Sequence, residues 1–254
     1  MNILVCIKQV PDTTEIKIDP VTNTLIRAGV PSIVNPFDAY ALEIAARIKD
    51  VTPETKIILL SMGPKQAEAA LKECLAVGGD KAYLVSDRAF GGADTLATSY
   101  TLKTAIDKIE TLEGKFDIIF CGKQAIDGDT AQVGPEIAEH MDCPQITYAI
   151  EAKVENDEVL AAKMPCVITV TKPSFSPRYP TIKSKMAANR ATINTLTAAD
   201  IPVDAERIGL KGSPTKVKKS FTPPQKQGGV VVKEDSPEAS AQKLFELLNS
   251  AHIV

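Results

Sequence analysis

The residues best suited to chemistry lie in two loops of one design. The first runs Asp87-Arg88-Ala89-Phe90-Gly91-Gly92-Ala93-Asp94-Thr95-Leu96-Ala97-Thr98-Ser99, and the second runs Gly122-Lys123-Gln124-Ala125-Ile126-Asp127-Gly128-Asp129-Thr130-Ala131-Gln132-Val133-Gly134. Each contains glycine, reaches an Asp-Thr pair and leads into a helical stretch. The first turn of a helix carries unpaired backbone N–H groups and the positive end of the dipole, which together suit a phosphate. Thr and Ser hydroxyls there can donate to phosphate oxygens. The plainer alternative is that Asp94 or Asp129 simply caps its helix. Two such loops on one sheet edge point to a nucleotide site. Neither G-x-G-x-x-G nor G-x-x-x-x-G-K-[ST] occurs, which argues against a standard dinucleotide fold and a P-loop hydrolase. No catalytic nucleophile or acid–base pair stands out; Asp127 and Asp129, two apart in a loop, are expected to be structural. Any reaction must then be carried by a bound cofactor.

Other chemistries are poorly supplied. Cys6, Cys74, Cys121, Cys143 and Cys166 are scattered, odd in number and never at C-x-x-C spacing. They read as reduced thiols of a cytoplasmic protein, mostly small buried hydrophobes, and give no disulfide framework and no metal site. His140 and His252 are the only histidines. His140 is expected to be structural, a cation near a helix C-terminus where the dipole favours it. With 29 Lys+Arg against 32 Asp+Glu and a formal charge of −3, there is no general footprint for nucleic acid or an anionic membrane. Aromatics are 5% with no Trp, a poor basis for base stacking. No apolar run reaches the ~18–20 residues of a membrane span. The opening MNILVCIKQV already reads as a strand, so no leader is expected before it.

The elements that must position the two loops follow from hydropathy. ILVCI (3–7), KIILLS (56–61), AYLVS (82–86), FDIIFCG (116–122) and CVITVT (166–171) are short apolar runs without alternation, as in strands covered on both faces. Helical stretches separate them. One opens at Asn35-Pro36, with Asn as N-cap; others cover Pro64–Val77, about 92–110 and about 130–141. At 254 residues and 44% hydrophobic, the chain can fill one three-layer core. The expected fold is α/β: a doubly wound, mostly parallel, Rossmann-like sheet of adenine-nucleotide-binding type. In such sheets ligands lie beyond the strand carboxyl ends. That adds Cys6, Lys8 and Pro11-Asp12-Thr13 after the first strand and Met62-Gly63-Pro64 after the second.

Outside that frame, 14–27 reads as a small surface hairpin. Composition shifts after about residue 190. Residues 211–229 hold five lysines, three prolines and three glycines, and read as an extended arm. Residues 236–250 form an amphipathic helix, capped by Ser236 with Pro237 at its first position. The expected division is therefore an α/β domain, 1–190, and a C-terminal arm and helix, 191–254. The arm either folds back on its own domain or wraps a partner.

The stretches IKQVPDTTEIKID, NPFDAYALEIA, CGKQAIDGDTAQVG and PRYPTIKSKMA resemble the beta subunit of an electron transfer flavoprotein, in order and over essentially the whole chain. The resemblance implies a heterodimer whose alpha subunit carries an FAD, with a second nucleotide in this subunit. That nucleotide is AMP in mitochondrial-type members. In electron-bifurcating members it is FAD, reduced by NADH, with electrons sent to ferredoxin or flavodoxin and, through the alpha FAD, to an acyl-CoA dehydrogenase. The D-T-x-A-T-S stretch and Val10-Pro11-Asp12-Thr13 resemble the bifurcating type. Carried onto this sequence, the cofactor site comprises Cys6, Lys8, Asn35, Pro36, Phe37, Asp38, Met62, Asp94, Thr95, Ala97, Thr98, Ser99 and the run Gly122 to Val133. The loop 178–186 resembles the family's recognition loop, with Arg178, Tyr179, Pro180, Thr181, Ile182, Lys183 and Met186 facing the dehydrogenase and Ile182 as apolar anchor. Between Tyr148 and Pro165 the chain looks about a dozen residues shorter than typical members, as if lacking an acidic, glycine-containing hairpin.

Overall fold

The computed structural model describes residues 1–12, 31–155, 158–159, 162–215, 217–218 and 228–254. The chain begins with β1 (Asn2–Cys6), whose Ile3, Leu4 and Val5 are wholly buried. β2 (Gln9–Pro11) and β3 (Ser32–Val34) pair antiparallel. They close the base of the segment in which the 14–27 hairpin is expected, and that hairpin lies outside the described residues. α1 (Pro36–Val51), β4 (Lys56–Met62), α2 (Glu68–Leu75), β5 (Lys81–Val85), α3 (Thr95–Glu113) and β6 (Ile118–Gly122) follow. The second helical stretch is shorter than its periodicity predicts, because its first turn, Lys65–Ala67, is a 3₁₀ turn.

The sequence then runs through α4 (Val133–Met141), β7 (Gln145–Ala149), the short strands β8 (Val154–Glu155), β9 (Glu158–Val159) and β10 (Ala162–Lys163), then β11 (Cys166–Val170), α5 (Ile182–Arg190), β12 (Asn194–Leu196) and α6 (Pro237–Ser250). Apolarity marks five strands of the main sheet, those covered on both faces, and misses two. β7 is an edge strand with half-exposed residues, and β12 is three residues long. Neither carries the buried-strand pattern. In the region read as lacking a hairpin, β8, β9 and β10 form a small antiparallel sheet.

The main sheet has seven strands in the order β12-β5-β4-β1-β6-β11-β7, all parallel. Successive residues of β1 point to opposite faces: Ile3 and Val5 pack with α1 and α2, and Leu4 packs with α3 and α4. This is the doubly wound α/β fold the hydropathy predicts. From β1 the chain builds outward through β4 and β5, then crosses to β6 on the other side of β1. The topological switch point therefore lies between β1 and β6, where a ligand crevice opens beyond the carboxyl ends.

The compact domain does not stop at 190. β12 pairs with β5, and Leu196, Ile201, Ile208 and Ser213 are buried with the core. Buried residues thus continue past 190 as far as 213, and Leu196, Ile201 and Ile208 each stand apart in sequence rather than in an apolar run. By contrast α6 has no buried residue, and Leu244 and Phe245 are 50% and 61% exposed.

Candidate functional site

The switch point is held together by one carboxylate. Asp38, in the first turn of α1, accepts the Lys8 N–H through Oδ2 at 2.7 Å and the Gly122 N–H through Oδ1 at 3.1 Å. It thereby ties the segment after β1 to the end of β6. A Cβ on Gly122 would stand 2.2 Å from Asp38 Oδ1, so only glycine allows this approach. Asn35 Nδ2 donates to Asp38 Oδ1 at 2.9 Å and to the Gln124 carbonyl at 2.8 Å, and Asn35 Oδ1 accepts from the Ile126 N–H at 3.2 Å. Asn35 does stand at the N-cap position of α1, but its side chain caps nothing. It clamps the 122–128 loop instead. Burial outweighs the donors around Asp38 and pushes its carboxyl up to about 7.

The rest of the loop is shaped from its own residues. Lys8 Nζ pairs with Asp127 Oδ1 at 2.6 Å, and Gln124 Nε2 donates to Asp129 Oδ1 at 2.6 Å. Asp129 and Ala131 adopt φ of 54° and 55°, in the left-handed region, and the Gly128 and Asp129 N–H groups both donate to the Ala125 carbonyl, closing the turn. Asp129 therefore does not cap α4, and Gln132 at the N-cap position makes no side-chain cap. The opening of α4 faces the crevice edge with Gln132 and Thr130 exposed and Gly134 pressed against the sheet, its missing Cβ 2.5 Å from Thr169 Cγ2.

On the α3 side the capping alternative holds. Asp94 Oδ1 accepts from Ala97 N–H at 3.0 Å, and Oδ2 accepts from Thr215 N–H at 3.0 Å. Burial raises the Asp94 carboxyl, but those two N–H donors outweigh it and hold it below the usual range. Ala97 is buried with its N–H spent on the cap, and Ser99 is buried with its hydroxyl on the Leu96 carbonyl. Neither side chain reaches the loop surface. Thr95 and Thr98 remain half-exposed. Thr95 Oγ1 donates to Glu136 Oε1 at 3.0 Å and approaches Gln132 Oε1 at 3.4 Å, so the two loops meet through side chains. Glu136 escaped the sequence reading. Its other oxygen, Oε2, is buried without a hydrogen-bond partner among the described residues.

The remaining expected residues divide. Cys6 and Met62 are half-buried at the ends of β1 and β4; Pro36 and Phe37 open α1; Lys123 lies over the Tyr148 ring at 5.1 Å. Thr13 lies outside the described residues. Arg178 does not face outward. Its backbone N–H and Nε donate to the buried Glu43 at 3.0 and 2.9 Å, and Nη2 donates to Asp50 at 2.7 Å. Burial raises Glu43, but the Arg178 and Arg47 hydrogen bonds outweigh it and hold it low. Arg47 in turn lies 3.7 Å over the Phe175 ring. Arg178 thus anchors this segment to α1. Beyond it, Tyr179 and Ile182 are 92% and 84% exposed, Met186 is half-exposed one turn from Ile182, and Lys183 stands outward. Thr181 caps α5 in a capping box with Ser184. Burial, then Arg207, push the His140 imidazole below its ordinary value, and the ring stands edge-on to Tyr100 at 6.3 Å between centroids. Among the described residues no group of His, Cys, Asp and Glu is placed to hold a metal, and no helix is long and apolar enough to cross a membrane.

A model of the electron transfer flavoprotein domain matches residues 22–201. An electron transfer flavoprotein beta subunit from Megasphaera elsdenii is 53% identical over 270 aligned positions, covering all of both chains. The caffeyl-CoA reductase-Etf complex subunit CarD of Acetobacterium woodii is 47% identical over 266 positions, again all of both chains. Protein FixA of Bradyrhizobium diazoefficiens is 43% identical, covering 98% of this chain and 91% of the relative.

Proposed function

Since this chain belongs to the electron transfer flavoprotein family as a beta subunit, serving electron transfer beside an alpha subunit, we propose that its crevice holds FAD and that NADH reduces it, in the cytoplasm. The carrying observation is the meeting of two donor sets at one crevice edge. A single phosphate needs only the Gly122–Val133 loop, whereas a pyrophosphate and a ribityl chain need more. Thr98 extends the donors across α3, and Thr95, whose hydroxyl proton goes to Glu136 of α4, joins the two loops at that edge. The orphaned Glu136 Oε2 fits the same group, because a buried acceptor without a partner calls for a hydroxyl donor. A carboxylate there repels phosphate and suits a sugar or ribityl hydroxyl.

The chemistry a bound FAD supplies is acceptance of an electron pair from NADH and release of single electrons, to ferredoxin or flavodoxin and to the alpha-subunit FAD. This chain's residues would bind and orient. Asp38 and Asn35 fix the loop, Gly122 admits the close approach of Asp38, and the turn through Asp129 and Ala131 leads the chain to the first-turn N–H groups of α4. The exposed Tyr179, Ile182 and Met186, ringed by Lys183 and Lys185, form a knob for an apolar pocket with an acidic rim on an acyl-CoA dehydrogenase. A relative named for a caffeyl-CoA reductase complex supports a partner that acts on a CoA thioester.

A second reading has its own observation. Asp94 is spent on Ala97 and Thr215, and Ser99 is buried, which leaves fewer α3 donors than the sequence promises. A structural AMP needs none of them. Cofactor analysis of the purified heterodimer separates the two. Two FAD per dimer, one bleached by NADH, supports the first; one FAD, one AMP and no NADH reduction establishes the second.

A further inference from the structure

The crevice floor carries a pair of thiols that the reading above does not use. β1 and β6 are adjacent and parallel, in the register Ile3↔Ile118, Leu4↔Ile119, Val5↔Phe120. The next pair in that register is Cys6 and Cys121, the one ending β1 and the other in the last turn of the pleat of β6. Neighbouring strands lie about 4.8 Å apart, within the Cα separation of about 4.4–6.8 Å that a disulfide spans. Both side chains lie on the face that carries Leu4 and Ile119. The Cys6 thiol is the largest influence on the Cys121 thiol, ahead of burial. Cys121 Sγ also lies 3.7 Å from the point a Cβ on Gly134 would occupy, so it touches the first turn of α4. Cys6 is half-buried and opens toward the crevice, whereas Cys121 is 5% exposed. Cys143 and Cys166 are also neighbours, but they pack in the cores on opposite faces of the sheet.

We propose that Cys6 and Cys121 form a redox modification site at the floor of the crevice, oxidised by a hydroperoxide to a cross-strand disulfide, and that this oxidation and nucleotide occupancy exclude one another. The more accessible Cys6 reacts first. Its sulfur attacks one peroxide oxygen, the O–O bond breaks, the departing hydroxide takes up the thiol proton as water, and Cys6 becomes a sulfenic acid. The Cys121 sulfur then attacks the Cys6 sulfur. The S–O bond breaks, the S–S bond forms, and a second water leaves with the Cys121 proton. Two thiols lose two electrons and two protons, and hydrogen peroxide gains them as two waters. A small dithiol reverses the step by exchange. Drawing the sulfurs together shifts Cys121 against Gly134 and Gly122, where the loop and α4 begin. A nucleotide in the crevice covers Cys6. The exclusion rests on the nucleotide reading given above, whereas the disulfide does not.

The test uses the full chain co-purified with its alpha subunit, nucleotide-stripped or loaded with FAD or with AMP. After hydrogen peroxide, alkylation and peptide mass analysis should find a Cys6–Cys121 linked peptide in the stripped complex, with both thiols restored by dithiothreitol. Loading should slow its formation about tenfold or more, and the oxidised complex should bind AMP about tenfold more weakly. Cys121→Ser, or Cys121→Ala if the serine variant does not fold, should halt Cys6 at a sulfenic acid trapped by dimedone. Persistence of both thiols in the stripped complex while Cys143 is modified overturns the site. A disulfide that forms at one rate with and without nucleotide overturns the exclusion alone. Slowing by AMP and not by FAD upholds the site and counts against the FAD reading instead.

Discussion

Single residues set the crevice, and Asp38 is the one on which most contacts converge. Burial raises its carboxyl to about 7, against an ordinary 3.8. A folded-state value above the unfolded one means that the folded chain holds the extra proton between about pH 4 and 7. The stability Asp38 contributes is complete below that window and is lost as pH rises through 7, at up to about 1.4 kcal/mol per pH unit. Urea midpoints from pH 4.5 to 7.5 should show that loss in the wild type and a flatter profile in Asp38→Asn; superimposable slopes would exclude Asp38 as the source. Gly122→Ala should cost about 1–3 kcal/mol through overpacking against that same carboxylate, read as a lower melting temperature and weaker nucleotide retention. The types of these residues were legible in the sequence, their partners were not. Asn35 before Pro36 reads as an N-cap, yet its amide is drawn to a loop some ninety residues away, because Asp38 and the loop carbonyls there are buried and must be satisfied. Glu136 gave no signal at all: a glutamate in a first helical turn is ordinary until the helix beside it brings Thr95 within reach.

At the scale of elements, buried strands and capped helices were readable because burial on two faces leaves an unbroken apolar run. Edge strands and α5 were not. α5 is short, basic and mostly exposed, held by its capping box and not by a core-facing stripe. What fixes it in space is its packing on α2, where Lys72 Nζ donates to the Asn189 carbonyl, together with the Arg178 clamp on α1, a residue that the family resemblance assigns to a partner surface. Arg178→Ala should leave Glu43 with fewer donors, cost about 1–3 kcal/mol, and reduce electron delivery to the dehydrogenase while flavin content stays constant. Arg178→Lys should recover little, since an ammonium cannot span Glu43 and Asp50 as the planar fork does. Ile182→Ala tests the knob itself. Burying that side chain in a partner pocket is worth about 1.5–3 kcal/mol, so its loss should weaken coupling about tenfold or more, with melting temperature unchanged. Transfer rates equal to the wild type's over a range of dehydrogenase concentrations in Ile182→Ala would remove the knob from the docking surface.

The whole molecule divides where its core ends. The last buried residue in chain order is Ser213, whose hydroxyl accepts from the Asp94 N–H, and Thr215 N–H donates back to Asp94. After that no residue among those described is buried. Val230 and Val231 are 80% and 89% exposed, and on α6, which has no buried residue, Leu244 and Phe245 are exposed as well. An arm that folded back would cover these side chains. An arm built to wrap a second subunit leaves them open until the subunit arrives. Each is worth about 1.5–3 kcal/mol once covered, and association itself costs about 4–15 kcal/mol. Removing one side chain should therefore weaken the alpha subunit's hold, and removing the arm should abolish it. A chain ending at Thr215 keeps every strand of the sheet and both ties to Asp94. It should melt cooperatively, close to the full-length chain, and fail to co-elute with alpha on size exclusion. A chain ending at Ile193 loses β12 together with Leu196, Ile201 and Ile208, and should not fold. Co-elution of the 1–215 chain with undiminished affinity would show that the alpha subunit is held by the α/β domain, with the arm left for another partner.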